Sequence, residues 1–256
     1  MKQVLKIFSL LLLLAFTAGK TSAQENRNDK FQKGVGLFIS GNYDKAVEIW
    51  LEIYNTGYRS AELEYNIGNG YFKMKNIPGA ILFYERAHLL KPSDEDINYN
   101  LQIARSLTVD RFIEIPEVFF VKWFRLTSLF LSTNAWAIIS IIAFILCLVF
   151  LSVYLYSGRY KLKVLGFWLA LFLIMVSALS FAFAESNRQQ IHNSHEAVVF
   201  SPQLNGKSSP DESGTDLFVL HEGTKVKTVE KVGNWYEILL SDGNKGWVPD
   251  AGIRII

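Results

Sequence analysis

The sequence predicts a multidomain membrane protein that consists of an α-helical solenoid, a transmembrane helical hairpin and a small all-β barrel, in this order. Three observations support this fold class. Two uncharged apolar runs stand almost adjacent in the middle of the chain, a helical repeat precedes them, and strand-like alternation of side chains follows them. Because helices and strands have different periods, each stretch is expected to form its own structural unit.

Residues 1–23 have the organisation of a secretory signal peptide. Lys2 and Lys6 precede an apolar stretch, and Ala23 ends a run of small residues that is typical of a cleavage site. No cysteine lies near this site, so a lipid anchor is not indicated. An uncleaved anchor helix is the alternative, and in either case the following segment is exported.

Charge and cysteine content exclude two classes of protein. The formal net charge of +2 becomes negative without the signal peptide, which carries three lysines and no acid. A nucleic-acid-binding protein needs a basic face, so that class is excluded. The single cysteine, Cys147, lies inside the first apolar run, and the exported parts must be stabilised by packing rather than by disulfides.

Residues 24–110 repeat with a period of 34, which places Gly34 on Gly68 and Trp50 on Tyr84. This spacing is typical of repeats built from two antiparallel helices, in which small residues mark the close helix crossings. A third repeat begins but has room for one helix only. Five helices are therefore expected, and the last one caps the stack.

The second repeat resembles the tetratricopeptide consensus through Tyr65-Asn66-Ile67-Gly68-Asn69, Tyr84 and the closing Pro92. The resemblance implies about 2.5 repeats and a concave groove that binds an extended peptide. In the family, an asparagine at the position of Asn69 often holds the ligand backbone. Packed core is the alternative interpretation of the aromatic positions. The candidate groove residues are Phe31, Tyr65, Asn69, Phe72, Lys73 and Tyr99.

Residues 116–133 are aromatic and contain two cations, Lys122 and Arg125. Aromatic rings favour the headgroup region, and cations reach lipid phosphates from there, so an interfacial helix is predicted. A simple N-terminal extension of the following span is the alternative.

Residues 135–157 and 162–184 are predicted to be two transmembrane helices, since each run is uncharged apart from Lys163 at its edge and is long enough to cross a bilayer. The connecting residues 158–163 carry three cations, which places this loop in the cytoplasm. The prediction is a two-pass protein of the cytoplasmic (inner) membrane, with both termini of the mature chain on the periplasmic side. Without buried ionisable residues, the hairpin is interpreted as an anchor rather than a channel or pump.

Residues 196–256 alternate β-forming residues with turn residues, which predicts about five strands. The order of these pieces, and the closing Gly246-Trp247-Val248 above all, resembles bacterial SH3-like domains. The polar segment 201–215 is expected to be a mobile loop. The candidate ligand face consists of Trp235, Tyr236 and Trp247, for a peptide or for peptidoglycan. The alternative is that at least one of the two tryptophans, Trp235 rather than Trp247, completes the small core.

No catalytic motif, metal site or cofactor site is predicted. His192 and His195 stand three residues apart, but no acidic or thiol ligand accompanies them. We therefore expect a protein that is not an enzyme.

The order of the domains resembles the E-type proteins of the aerotolerance-related Bat operons. This resemblance covers nearly the whole chain and implies a scaffold in a complex with von Willebrand factor A-type Bat proteins and a MoxR-type ATPase. The alternatives are a peptidoglycan-binding module of the cell wall and an accessory subunit of a membrane enzyme.

Overall fold

The computed structural model describes residues 24–112, 118–192 and 195–256. The predicted signal peptide, residues 1–23, and the start of the predicted interfacial helix lie outside these residues.

The first described segment is mostly helical, as the sequence predicts. It contains α1 over residues 24–39, α2 (Tyr43–Asn55), α3 (Ala61–Lys73), α4 (Ile77–Leu90) and α5 (Glu95–Ser106). Side-chain caps fix three of the helix starts: Ser60 accepts from the backbone N–H of Leu63, Asn76 from that of Gly79, and Asp94 from that of Ile97.

The 34-residue spacing recurs as the same close contact in two places. A Cβ atom added at Gly34 would lie 2.3 Å from the Trp50 ring, and one added at Gly68 would lie 2.6 Å from the Tyr84 ring. Trp50 and Tyr84 are both fully buried. In each case glycine lets two helices cross at short range while one large aromatic ring fills the space between them.

Two long apolar helices follow the short helix α6 (Phe119–Ser128): α7 (Thr133–Tyr156) and α8 (Tyr160–His192). Both are long and apolar enough to cross a membrane, with mean hydropathies of 3.0 and 2.4 over their most apolar windows. They pack side by side through small residues. Ser140 and Ser177 donate hydrogen bonds to each other's backbone carbonyls at 3.0 Å.

The helix α6 is shorter than predicted and is separate from α7. A turn follows Ser128, and Ser132 caps α7 by accepting a hydrogen bond from the Ala135 N–H. α8 also extends beyond the predicted end of the second span at residue 184, because its polar end continues the same helix.

The C-terminal segment forms an antiparallel sheet. Seven strands are present in the described residues: β1 (Glu196–Val199), β2 (Gln203–Lys207), β3 (Asp216–His221), β4 (Lys225–Val232), β5 (Trp235–Leu239), β6 (Lys245–Pro249) and β7 (Ile253–Ile255). Their order is β3-β2-β6-β5-β4-β1-β7. This order leaves β3 and β7 as edges, and closure into a barrel stays a prediction.

The sheet corrects the prediction of a mobile loop over residues 201–215. Gln203–Lys207 forms β2 and pairs with β3 through four residues in register, from Gln203 opposite His221 to Gly206 opposite Phe218. The Phe218 ring lies so close to Gly206 and Gly246 that a Cβ at either glycine would meet it within 2.8 Å. Gly206 and Gly246 leave the space that the Phe218 ring of β3 occupies. The polar, glycine-containing segment can therefore pair with β3 as a strand.

Candidate functional site

The helical segment contains a small cavity on the side of the predicted groove. Its volume is about 150 Å³, and it is open to solvent. Its lining residues are Phe38, Asn69, Phe72, Lys73, Tyr84, Asn100 and Ile103. We call it the groove cavity.

Hydrogen bonds fix the polar wall of the groove cavity. Asn69 Oδ1 accepts from Tyr84 Oη at 2.7 Å and from Asn100 Nδ2 at 3.2 Å, and Asn100 Nδ2 also donates to Tyr65 Oη at 2.7 Å. Among the described residues, these bonds leave Asn100 Oδ1 as an acceptor, whereas Asn69 also forms a side-chain hydrogen bond with Tyr65. A backbone N–H of an extended peptide is the group complementary to Asn100 Oδ1.

The two tyrosines of this wall remain neutral. Burial raises the pKa of Tyr84 far above its usual value, and the neighbouring Tyr65 raises it further. Burial also raises the pKa of Tyr65, against a lowering by its contact with Asn69. Both hydroxyls therefore act as hydrogen-bonding groups and not as charges.

The structure brings three of the six predicted groove residues into the cavity lining: Asn69, Phe72 and Lys73. Tyr65 does not line the cavity, but its hydroxyl accepts a hydrogen bond from the lining residue Asn100. Phe31 lies elsewhere, in a wider cleft of about 540 Å³ near the start of α1, with its ring centroid 6.2 Å from that of Trp50.

Tyr99 is a predicted groove residue that the structure places outside the groove cavity. Its side chain is 66% exposed and does not line the groove cavity. Its neighbour Asn100 faces the cavity instead, because Asn100 lies beside the buried stripe of Ile97, Leu101 and Ala104 on α5, whereas Tyr99 lies on the opposite, exposed side of this helix. Asn100, Phe38, Tyr84 and Ile103 are lining residues that the spacing argument missed.

The pairing of β5 with β6 places the three residues of the predicted ligand face on two different sides of the sheet. Glu237 on β5 lies opposite Trp247 on β6, and Trp235 lies opposite Pro249, so both tryptophans share one face of the sheet. Tyr236 lies opposite Val248 and packs against the buried core. Of the three predicted residues, Trp235 and Trp247 are half-buried on the outer face, and Tyr236 belongs mainly to the core side.

One row of residues crosses five strands on this outer face. Its members, from β3 to β4, are Asp216, Lys207, Trp247, Glu237 and Glu230. Lys207 forms an ion pair with Asp216 at 3.2 Å. Glu230 and Glu237 are directly opposite each other, and neither forms an ion pair with the described residues. The next row on the same face, Lys227, Leu239 and Lys245, adds two cations, so the face presents two tryptophans beside charges of both signs.

The sheet docks directly on the helical segment, and two carboxylates form this junction. Asp110 accepts hydrogen bonds from the His221 N–H at 2.7 Å, from His221 Nδ1 at 2.8 Å and from Thr224 Oγ1 at 2.6 Å. The turn between β3 and β4 requires glycine, since Gly223 has a φ of +84° and a Cβ there would lie 2.8 Å from Thr108.

The second carboxylate of the junction, Glu85 on α4, is almost fully buried. It accepts from Arg105 on α5, and from Lys225 Nζ on β4 at 3.1 Å. Burial by itself raises the pKa of Glu85, but the charges and hydrogen bonds of Lys225 and Arg105 outweigh it, so its pKa lies below the usual value. The carboxylate is therefore ionised and links three elements.

The described part of the chain contains no group of three or more histidine, cysteine, aspartate or glutamate residues that could hold a metal ion.

Residues 203–253 match the bacterial SH3 domain family, so the C-terminal sheet contains a bacterial SH3 domain. The match begins with β2 and ends with the first residue of β7. No curated protein matches the sequence of this chain.

Proposed function

We propose that this chain is a membrane-anchored adaptor without catalytic activity, which binds protein partners on the extracytoplasmic side. The docking of the sheet on the helical segment, through Asp110 and Glu85, carries the proposal. These two parts flank the hairpin in the sequence. Parts in direct contact must lie on one side of a membrane, which supports a two-pass topology, and the basic loop supports a cytoplasmic position for the hairpin tip.

Two surfaces are available to partners. The groove cavity offers the side-chain oxygen of Asn100 beside the cation of Lys73, which suits an extended peptide. The outer face of the sheet offers Trp235 and Trp247 beside carboxylates and lysines, which suits a peptide with aromatic or charged side chains.

The order of the domains supports a more specific role in a Bat-type complex, with von Willebrand factor A-type proteins and a MoxR-type ATPase as partners. In this role the chain would contribute to aerotolerance or to envelope stress tolerance. The signal peptide and the tetratricopeptide repeats belong to this proposal.

The test is affinity purification of the full chain from its native membrane in mild detergent, followed by identification of the proteins that accompany it. Lys73→Glu should reduce recovery of a groove partner several-fold. Lys75→Glu is the matched control, because Lys75 lies two residues away and does not line the groove cavity. If no partner accompanies the chain, or if both variants behave like the wild type, the groove is not a protein-binding site.

Peptidoglycan binding is a second candidate function, favoured by the bacterial SH3 domain at residues 203–253. The full chain in detergent should then sediment with purified cell wall. Trp247→Ala should abolish this binding, whereas Trp168→Ala, which changes an exposed tryptophan of α8, should not. Because Val198 of β1 packs into the core of the helical segment, the full chain is a better reagent than the isolated sheet.

A further inference from the structure

The exposed aromatic side of α6 fits a lipid surface. We propose that α6 lies in the headgroup region of the extracytoplasmic leaflet and is a third membrane contact beside α7 and α8. The proposal rests on the membrane-spanning role of the hairpin proposed above.

Most apolar side chains of α6 and the following turn are exposed. Phe119 is 80% exposed and Phe120 is 63% exposed. The exposed apolar residues of this surface are Phe119, Phe120, Val121, Trp123, Leu126 and Phe130. A patch of this kind in water would be an aggregation hazard, so it requires a partner.

The opposite side of α6 is tied to the extracytoplasmic ends of the hairpin helices. The Ser128 carbonyl accepts from Trp136 Nε1 of α7 at 2.8 Å and from Asn187 Nδ2 of α8 at 2.7 Å. The Phe124 ring centroid lies 5.0 Å from that of Phe183. The position of α6 relative to the spans is thus set by two hydrogen bonds and an aromatic contact.

These contacts set α6 at the depth where hydrocarbon ends. The apolar run of α8 stops at Ala184, and Glu185 and Arg188 form an ion pair at 3.6 Å within the next turn. Asn187, which holds Ser128, lies in the same turn. Tryptophan and phenylalanine at this depth meet the headgroup region, where aromatic rings are preferred.

The charge of α6 agrees with a lipid surface as its partner. Its sequence, Phe119–Ser128, contains Lys122 and Arg125 and no acidic residue. A basic amphipathic helix is attracted to anionic headgroups, and its aromatic residues then enter the boundary between headgroups and acyl chains.

The single cysteine permits a direct test. In the full chain carrying Cys147→Ser, which keeps a donor for the Ala170 carbonyl, one further cysteine is introduced and given a nitroxide spin label. The sites are Phe119→Cys and Phe120→Cys on α6, Ile145→Cys in the middle of α7, and Ile39→Cys on α1. Ile39 is the matched control, because it is as exposed as Phe119 but belongs to the helical segment. The purified protein is reconstituted into vesicles of phosphatidylcholine and phosphatidylglycerol.

Collisions of each label with oxygen, which concentrates in lipid, are compared with collisions with a water-soluble nickel chelate. The oxygen-to-nickel ratio at positions 119 and 120 should exceed that at position 39 by about threefold or more and should stay below that at position 145. A ratio equal to that at position 39 overturns the proposal. Low access to both reagents with spin–spin broadening also overturns it, because a second copy of the chain would then cover α6. If position 145 itself is accessible to nickel, the spanning role of the hairpin fails instead.

Discussion

Asp110 and Thr224 are separated in the sequence by both long apolar helices, α7 and α8, yet the Asp110 carboxylate accepts a hydrogen bond from the Thr224 hydroxyl at 2.6 Å. Asp110 also accepts from the backbone and the ring of His221. One carboxylate at the end of the helical segment therefore holds the β3–β4 turn of the sheet.

Asp110→Ala should loosen this junction. The substitution leaves the donors of His221 and Thr224 without their acceptor, at a cost of about 1–3 kcal/mol. Amide hydrogen exchange of the full chain should become faster in residues 221–225 and in the adjoining part of α4. Asp211→Ala is the control, because Asp211 bonds within its own loop, to Ser209, Ser213 and Gly214. Unchanged exchange at the junction would show that apolar packing alone holds the sheet.

The same junction should weaken in acid. Burial raises the pKa of Asp110, but hydrogen bonds from Thr224 and His221 outweigh this effect and hold the pKa below its usual value. A carboxyl group with a lowered pKa contributes stability above its unfolded-state pKa, and this contribution is lost as the pH falls through the folded-state pKa. Exchange in residues 221–225 should therefore accelerate below about pH 4, and this acceleration should be smaller in Asp110→Ala, in which only the Glu85 carboxylate of the junction still titrates.

Glu64 should produce the opposite pH dependence. Its side chain is 2% exposed, and among the described residues its Oε2 atom has no hydrogen-bond partner. Burial raises its pKa to about 7, although the charges of Arg86 and Arg59 lower it in part. The folded chain thus binds the proton more tightly than the unfolded chain, so stability falls as the pH rises from the usual glutamate range towards 7.

Glu64→Gln should remove this loss. The variant should gain up to roughly 3 kcal/mol over the wild type at pH 8 and little at pH 4. The measurement is thermal unfolding of the full chain in detergent between these pH values. Glu62→Gln, on the exposed side of the same helix, is the control. A gain that is equal at every pH would place the carboxyl group of Glu64 in contact with water.

Gly68→Ala and Gly36→Ala should have opposite effects on stability. A Cβ at Gly68 would meet the Tyr84 ring at 2.6 Å, so the alanine must displace a buried side chain at a cost of about 1–3 kcal/mol. A Cβ at Gly36 meets nothing within 4 Å in α1, and alanine should stabilise the helix by roughly 1 kcal/mol. Thermal unfolding of both variants compares them directly. Equal effects would contradict the close crossing of α3 and α4.

Trp247→Ala and Tyr236→Ala should separate binding from folding. Tyr236 packs against the core of the sheet, and its loss should cost about 3–5 kcal/mol of stability. Trp247 lies on the outer face, so its loss should reduce capture of a ligand or of cell wall while the unfolding temperature changes little. Trp235→Ala should resemble Trp247→Ala. If either tryptophan variant unfolds as readily as Tyr236→Ala, that tryptophan belongs to the core.

The sequence predicted those features that depend on local periodicity. The 34-residue spacing predicted close helix crossings at small residues, and the structure shows that the large residue of the same repeat, Trp50 or Tyr84, fills the space beside Gly34 or Gly68. It failed at Tyr99, since the rotation of α5 is set by which of its residues meet α4. A shift by one position exchanged an exposed tyrosine for the cavity-lining Asn100.

Features that depend on distant partners were not predictable. Nothing near Asp110 in the sequence indicates His221, and the strand β2 has a loop-like composition that only the Phe218 ring on the next strand explains. Trp235 and Tyr236 are adjacent aromatic residues, and nothing in the local sequence decides which of the two side chains faces the core. The register with β6 decides which of the two enters the core.

The short connection between α8 and the sheet limits how far the bacterial SH3 domain can reach. α8 ends at His192 and β1 begins at Glu196, and four residue steps of fully extended chain span at most about 14 Å. A domain on so short a tether cannot move far from the end of α8. On the two-pass topology proposed above, its ligand must arrive at the membrane surface, and a pull on that ligand is transmitted directly to the end of α8.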